Sequence, residues 1–337
     1  MAQEPTEEQL EIINHKDGNL LVLAGPGSGK TFVLVERVKK LVESGVAPEE
    51  ILCITFTEKG TEEMSQRLEK MGNTETKVST FHSFCKQICE DNMVESGISI
   101  DSKLIREESV KVWALKNSDS FGIDGSVIPF QKDNAGLFAG MNSAITNFKE
   151  SLITSDELQT WLEEKVREIE EMSEEEKAKL DNMELIKYVR YHLEFNKVYS
   201  AYEKFQEENS LFDFSDIIKK TTEMFKRNTL VLESYKKKYK YILVDEFQDN
   251  NFGQYELIRL LGEDGNVMVV GDDDQLIMRF QGARESNFTE FRDNFPDVTE
   301  KHLTQNFRST KQIVTFANLF TDKILGRIDK TNTASRE

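Results

Sequence analysis

Residues Ala24-Gly25-Pro26-Gly27-Ser28-Gly29-Lys30-Thr31 form a glycine-rich turn that ends in a lysine and a hydroxyl. They fit the pattern G-x-x-x-x-G-K-[ST], with Ala24 where the strict form has Gly. In such a turn, backbone N–H groups and a helix N-terminus point at a bound anion. Lys30 would reach the terminal phosphates of a nucleotide and the Thr31 hydroxyl would hold Mg²⁺. The chemistry needs an apolar strand before the turn and a helix after it. Leu20-Leu21-Val22-Leu23 and the run from Thr31 to about Glu43 supply both.

A second group of polar residues closes another apolar run, in Val244-Asp245-Glu246-Phe247-Gln248-Asp249. At a strand end the first acid, Asp245, can hold Mg²⁺ directly or through water. The second, Glu246, can orient and deprotonate an attacking water. Alone, the pair also reads as an ordinary acidic loop; with the phosphate turn in the same chain it points to nucleotide hydrolysis. A third strand end, Val269-Val270-Gly271-Asp272-Asp273-Asp274-Gln275, places Gln275 where it can contact the terminal phosphate. Asp273 reads as part of a solvated turn.

Short continuous apolar runs at 20–23 and 51–56, with a weaker one at 77–80, suit buried parallel strands. Helical composition at 31–43 and 59–70 alternates with them, and strands return at 241–245 and 267–271. Between about 89 and 210 the pattern is mainly helical. Ser155-Asp156-Glu157 starts one helix, with Leu158, Trp161, Leu162, Val166 and Ile169 on one face. Ser173-Glu174-Glu175-Glu176 has the form of a capping box for a second, longer helix bearing Leu180, Met183, Ile186, Val189 and Leu193. The stretch 117–140, rich in Gly, Asn and Asp, is expected to be loop. The fold class expected is α/β, a parallel sheet with an inserted helical subdomain.

The 337 residues carry a net charge of −18, which argues against a broad basic nucleic-acid surface. The charge is uneven: residues 156–184 hold 12 acids against 4 bases. Any nucleic-acid contact must use local groups in a groove. No apolar run is long enough to span a membrane and no leader pattern opens the chain, so a soluble, cytoplasmic protein without membrane partners is expected. The three cysteines, Cys53, Cys85 and Cys89, suggest a reducing compartment. His82, Cys85 and Cys89 share a helical spacing that suits a metal. No fourth ligand lies nearby, so ordinary thiols are the preferred reading.

Taken in order, these residues resemble the UvrD/Rep-type superfamily 1A DNA helicases. The resemblance rests on Gln9, AGPGSGKT at 24–31, ITFTEKGTEEM at 54–64, VSTFHSF at 78–84, LFDFSDII at 211–218, VDEFQD at 244–249, VVGDDDQLIMRFQGA at 269–283 and LTQNFRST at 303–310. It implies a RecA-like ATP-binding domain from residues 1–88 and 211–300, a helical insertion at 89–210, and the start of a second motor domain at 301–337. It further implies that Ala24, Gly25, Gly27, Ser28, Gly29, Lys30 and Thr31 bind ATP and that Gln9 reads the adenine edge. Phe307 would stack on the base where the family usually has Tyr. Arg308 would stabilise charge on the γ-phosphate from the second motor domain. Phe56, Thr80, His82 and Phe280 would line a single-strand path. Phe56 and Phe280 also suit a core, and His82 a helix cap.

Several positions depart from the family pattern. Phe32 stands where well-known relatives often place an Arg beside the adenine, and Gly60 replaces a usual Ala. Met278 lacks the usual aromatic ring, and Gln281 stands in place of an Arg that links the ATP and DNA sites. The further second-domain motifs have no counterpart after Arg308. The chain is therefore expected to be the N-terminal half of a 3′–5′ helicase or translocase that acts on single-stranded DNA and duplex junctions with ATP and Mg²⁺. By itself it should bind ATP weakly and hydrolyse it poorly for want of the C-terminal motor half. Two other readings stay open: a subunit of an ATP-dependent helicase–nuclease, and a nucleotide-binding module without motor activity.

Overall fold

A computed structural model of the protein describes residues 4–98, 101–128, 135–275, 286–321 and 331–336. The chain divides into two compact units, Met1–Ile88 with Thr221–Glu337, and Cys89–Lys220. Among the described residues no helix is long and apolar enough to cross a membrane.

The first unit is built on a six-stranded sheet. Its strands are β1 (Leu20–Ala24), β2 (Ile51–Thr55), β3 (Lys77–Thr80), β6 (Tyr241–Val244), β7 (Val267–Gly271) and β8 (Thr299–Leu303). They lie in the order β3-β2-β6-β7-β1-β8, and every pairing is parallel. Parallel strands carry helices on both faces and so are buried on both sides. That is why β1 (LLVLA), β2 (ILCIT) and β7 (VMVVG) read as unbroken apolar runs, and every residue of the three is buried. Helices α1 (Glu7–Ile13), α2 (Lys30–Glu43), α3 (Glu58–Lys70) and α4 (Phe81–Asp91) alternate with the first strands. Val33, Leu34, Val38 and Leu41 of α2 and Met64 and Leu68 of α3 join the strands in one core. Gly60 sits comfortably in α3: its N–H donates to Oγ1 of Thr57, the N-cap, at 3.0 Å. Beyond β8 the chain continues as β9 (Gln305–Thr310), which pairs in parallel with β10 (Thr333–Arg336).

The second unit is mainly helical, with a small parallel pair of β4 (Lys103–Leu104) and β5 (Leu211–Phe212). Its core joins Met141, Ile145, Leu158, Leu162, Val189, Phe195, Val198, Tyr199 and Tyr202.

Two local expectations fail in this unit. The stretch 117–140 is not all loop: a short 3-10 turn spans Ser118–Ser120, and a helix covers Ala135–Glu150. Met141 and Ile145 of that helix are buried, and core burial outweighs the low propensity of its glycines. The capping box at Ser173 is present but serves only the short helix Glu174–Lys177. The long helix Leu180–Glu208 starts afresh after Lys179, which is extended (φ −67°, ψ 143°). The Asn182 side chain donates to the Glu176 carbonyl at 2.8 Å, taking an acceptor that a continuous helix would need.

Candidate nucleotide site

The turn between β1 and α2 is shaped by glycines in the left-handed region. Gly27 has φ +72° and Gly29, the N-cap of α2, has φ +92°. Lys30 and Thr31 therefore open a helix whose first N–H groups face the turn. The sheet then delivers the acids. Asp245 lies just past β6 and is buried, with its N–H bonded to the Ile54 carbonyl at 2.9 Å. Glu246 has φ +50° and ψ +47°, a conformation a side chain rarely adopts, which turns its carboxylate back toward Lys30. The Lys30 Nζ to Glu246 Oε2 distance is 2.9 Å, and the Thr31 hydroxyl donates to Asp245 Oδ2 at 3.3 Å.

Electrostatics at this point are dominated by burial. Burial first, and then the Glu246 carboxylate, push Asp245 up to about 6, although Lys30 opposes the shift. The same two causes raise Asp249 to about 6. Crowded acids beside a hydroxyl form a hard oxygen donor set, the kind that holds Mg²⁺. Thr31 and Asp245 fit that ion, and a cation there would keep Asp245 ionised.

A cavity of about 430 Å³ opens over the turn. Pro26, Gly27, Gly29, Lys30 and Thr31 line one side of it, with Glu246 and Gln275. Phe307 and Arg308 of β9 line it as well. The two sides touch directly: the Phe307 N–H donates to the Gly27 carbonyl at 2.9 Å, and Asn306 Nδ2 donates to the Pro26 carbonyl at 2.7 Å. A Cβ on Gly27 would stand 2.7 Å from Cβ of Arg308, so glycine there is required by both sterics and φ. Gln275 Nε2 donates to Asp272 Oδ2 at 2.6 Å.

Among the other residues expected at the site, Ala24 ends β1, and Ser28 is buried with its hydroxyl donating to the Gly25 carbonyl at 2.7 Å. Gln9 is buried and does not line the cavity. It closes the capping box of α1 with Thr6, and its Nε2 donates to the Ser28 carbonyl at 3.1 Å, bracing the turn from behind. Phe56, Thr80 and His82 gather at the carboxyl ends of neighbouring strands β2 and β3, where Thr55 pairs with Thr80. Phe56 and His82 are half-buried. The Thr80 hydroxyl donates to Glu58 Oε1 at 3.0 Å. Burial lowers the His82 imidazole below its ordinary value, against the pull of Glu58. Phe280, like Met278 and Gln281, lies outside the described residues. Cys53, Cys85 and Cys89 are buried and form no disulfide, and burial pushes the Cys53 thiol up to about 12.

Four residues that pattern reading assigned no role also belong here. Gln248 joins the ends of β6 and β7: its Nε2 donates to Glu246 Oε2 at 2.8 Å, and its Oε1 accepts from the Asp272 N–H at 2.9 Å. Phe32, Arg67 and Arg336 line the cavity. The sequence held a signal for Gln248, two residues past Glu246, but none for Arg67 or Arg336.

Comparison with known proteins agrees with this geometry. The model of the UvrD/REP helicase N-terminal domain matches residues 5–296. An ATP-dependent DNA helicase PcrA of Staphylococcus aureus is 36% identical over 320 residues, covering 92% of this chain and 39% of that protein. Its counterpart in Staphylococcus epidermidis is 34% identical over 323 residues, covering 94% of this chain and 40% of its own length. The chain thus spans about two fifths of the length of the curated relatives it matches. With the glycine-rich turn, Glu246 and β9 meeting around one cavity, and a family match over residues 5–296, the chain belongs to the UvrD/REP helicase N-terminal domain family.

Proposed function

We propose that the protein binds ATP with Mg²⁺ in the cavity over residues 24–31 and uses its hydrolysis to move along single-stranded DNA in the 3′–5′ direction. The observation that carries this reading is that Lys30, Glu246 and Arg308 line one cavity although they come from three separate stretches of chain.

In this reading Lys30 exchanges its contact with Glu246 for the terminal phosphates. Glu246, released, takes the proton of a water that attacks the γ-phosphorus as the bond to the bridging oxygen breaks. Thr31 and Asp245 hold Mg²⁺, which when bound screens the charge of the phosphates. Arg308 stabilises charge on the transferring group, and Gln275 lies against the same phosphate. Phe307 and Phe32 offer aromatic faces to the base. Phe56, Thr80 and His82 form the strand path, where base–aromatic stacking is worth about 1–3 kcal/mol and tolerates any sequence. In domain terms, residues 1–88 and 221–300 make up the ATP-binding domain and 89–220 its helical insertion.

ATP turnover measured with and without single-stranded DNA tests the proposal. In this chain low ATP turnover with little DNA stimulation, lost on Lys30→Ala, is the expected result, and strong stimulation by DNA is expected where a C-terminal motor half is joined to it; ATP turnover indifferent to Lys30→Ala would sink the proposal.

A further inference from the structure

We infer that Arg336 is a phosphate-binding residue of the nucleotide site, a second arginine that grips the phosphate chain beside Arg308. The inference rests on the nucleotide reading of the cavity but on none of the family's motifs, since Arg336 lies beyond the residues matched by the family model.

Three observations place it. First, the stretch before β10 passes directly over the phosphate turn: a Cβ added to Gly25 would collide with Oδ1 of Asn332. Second, the pairing of β10 with β9 shifts register between Ala334 and Arg336, which pairs with Thr310. Such irregularities commonly re-aim a side chain near a site. Third, Arg336 lines the cavity, and its Nη1 donates to the Arg308 carbonyl at 3.3 Å. A guanidinium has five N–H donors, so this bond fixes its position and leaves donors for a ligand.

Charge points to the ligand class. The cavity is lined by Lys30, Arg67, Arg308 and Arg336 against the single carboxylate of Glu246. In a chain of net charge −18, that local excess of cations suits a polyphosphate. Arginine also matches phosphate oxygens with two parallel donors. Arg336 therefore recognises phosphates beyond the first, not the base or sugar.

The test is calorimetric titration of ATP and AMP onto the protein and its Arg336→Ala, Arg336→Lys and Lys30→Ala variants. Loss of a charge-assisted contact should weaken ATP about tenfold in Arg336→Ala, leave AMP unchanged, and be partly restored in Arg336→Lys. If Arg336→Ala binds ATP like the unaltered protein while Lys30→Ala does not, Arg336 has no such role and the nucleotide reading survives. An equal loss of ATP and AMP affinity in Arg336→Ala would overturn the inference too, by assigning Arg336 to strand packing. If Lys30→Ala leaves ATP binding intact, the nucleotide reading itself fails and this inference goes with it.

Discussion

At the level of single residues, the ion pair between Lys30 and Glu246 has a consequence for mutagenesis. Glu246 is positioned by a left-handed backbone and by Gln248, and its carboxylate holds the lysine that the proposed ATP would recruit. Glu246→Gln removes that competitor while keeping shape and hydrogen-bonding capacity. Turnover should fall by at least about a hundredfold, the usual contribution of a general base. ATP affinity should hold or rise, because Lys30 no longer leaves a full negative charge to meet phosphate. Single-turnover hydrolysis with parallel ATP titration separates the two effects. A variant that hydrolyses normally would remove Glu246 from the role of base. The neighbouring Asp245 differs in kind: it is buried and accepts from the Thr31 hydroxyl at 3.3 Å, a pair of oxygen donors that suits an ion.

Among elements, α1 and α2 show how the turn is braced. Arg37 of α2 is buried and reaches the end of α1, where carbonyls lack helical partners. Its Nη1 donates to the carbonyls of Ile12, at 3.0 Å, and His15, and its Nη2 to that of Lys16 at 3.0 Å. Burial lowers this guanidinium to about 10. Through α1 the same contacts hold Gln9 behind Ser28. Arg37→Met should cost about 1–3 kcal/mol by removing three hydrogen bonds of a buried guanidinium and leaving the His15 and Lys16 carbonyls without this donor. ATP affinity should fall with it as the turn loosens. Chemical denaturation monitored by far-UV circular dichroism reads the first effect; unchanged stability would show that water satisfies those carbonyls. None of this is legible in the chain, because Arg37 is simply a basic residue on a helix until the α1 terminus is placed beside it.

At the scale of the molecule, the two units differ in what holds each of them together. The sheet unit rests on apolar strands. The helical unit adds a buried ionic knot: Lys149, with no exposed side chain, lies 2.7 Å from Asp213 Oδ2, Asp216 Oδ1 and Gln206 Oε1. Burial disfavours its charge, but the two carboxylates hold the ammonium above its ordinary value. Asp213 and Asp216 also cap each other's backbone N–H at 2.8 and 3.0 Å, which explains the structural part played by the 211–218 segment. Lys149→Met should destabilise this unit by about 3–5 kcal/mol, as removing one partner strands the carboxylates. Both tryptophans of the chain, Trp113 and Trp161, lie in this unit, so fluorescence during urea unfolding reports it selectively.

Acid should act on the same unit. Burial opposes ionisation of Glu203, but Lys219 at 2.7 Å and the Ser155 N–H leave it below its ordinary value of 4.5. A depressed folded value means its stabilisation is present above pH 4.5 and is lost as pH falls through the folded value. The same fluorescence measurement, repeated at falling pH, should show the unit weakening there, and Glu203→Gln should flatten that dependence.

The fold class and the main parts of the site are readable in the sequence alone. Buried parallel strands must be continuously apolar, and a phosphate turn must carry its glycines, lysine and hydroxyl in fixed order, so both leave local patterns. The acids after β6 are readable for the same reason, since the residues just past a buried strand emerge at the sheet's edge and can be polar. Partnerships across distance stay hidden. Lys149 and Asp213 are 64 residues apart, and nothing near either names the other. Arg336 joins the cavity only because β10 pairs with β9 and its register shifts, and Gln9 braces the turn only because α1 lies behind it. Side-chain type and spacing record local chemistry. Which cation meets which acid, and which arginines line the cavity, is decided by packing that brings remote segments within hydrogen-bond reach.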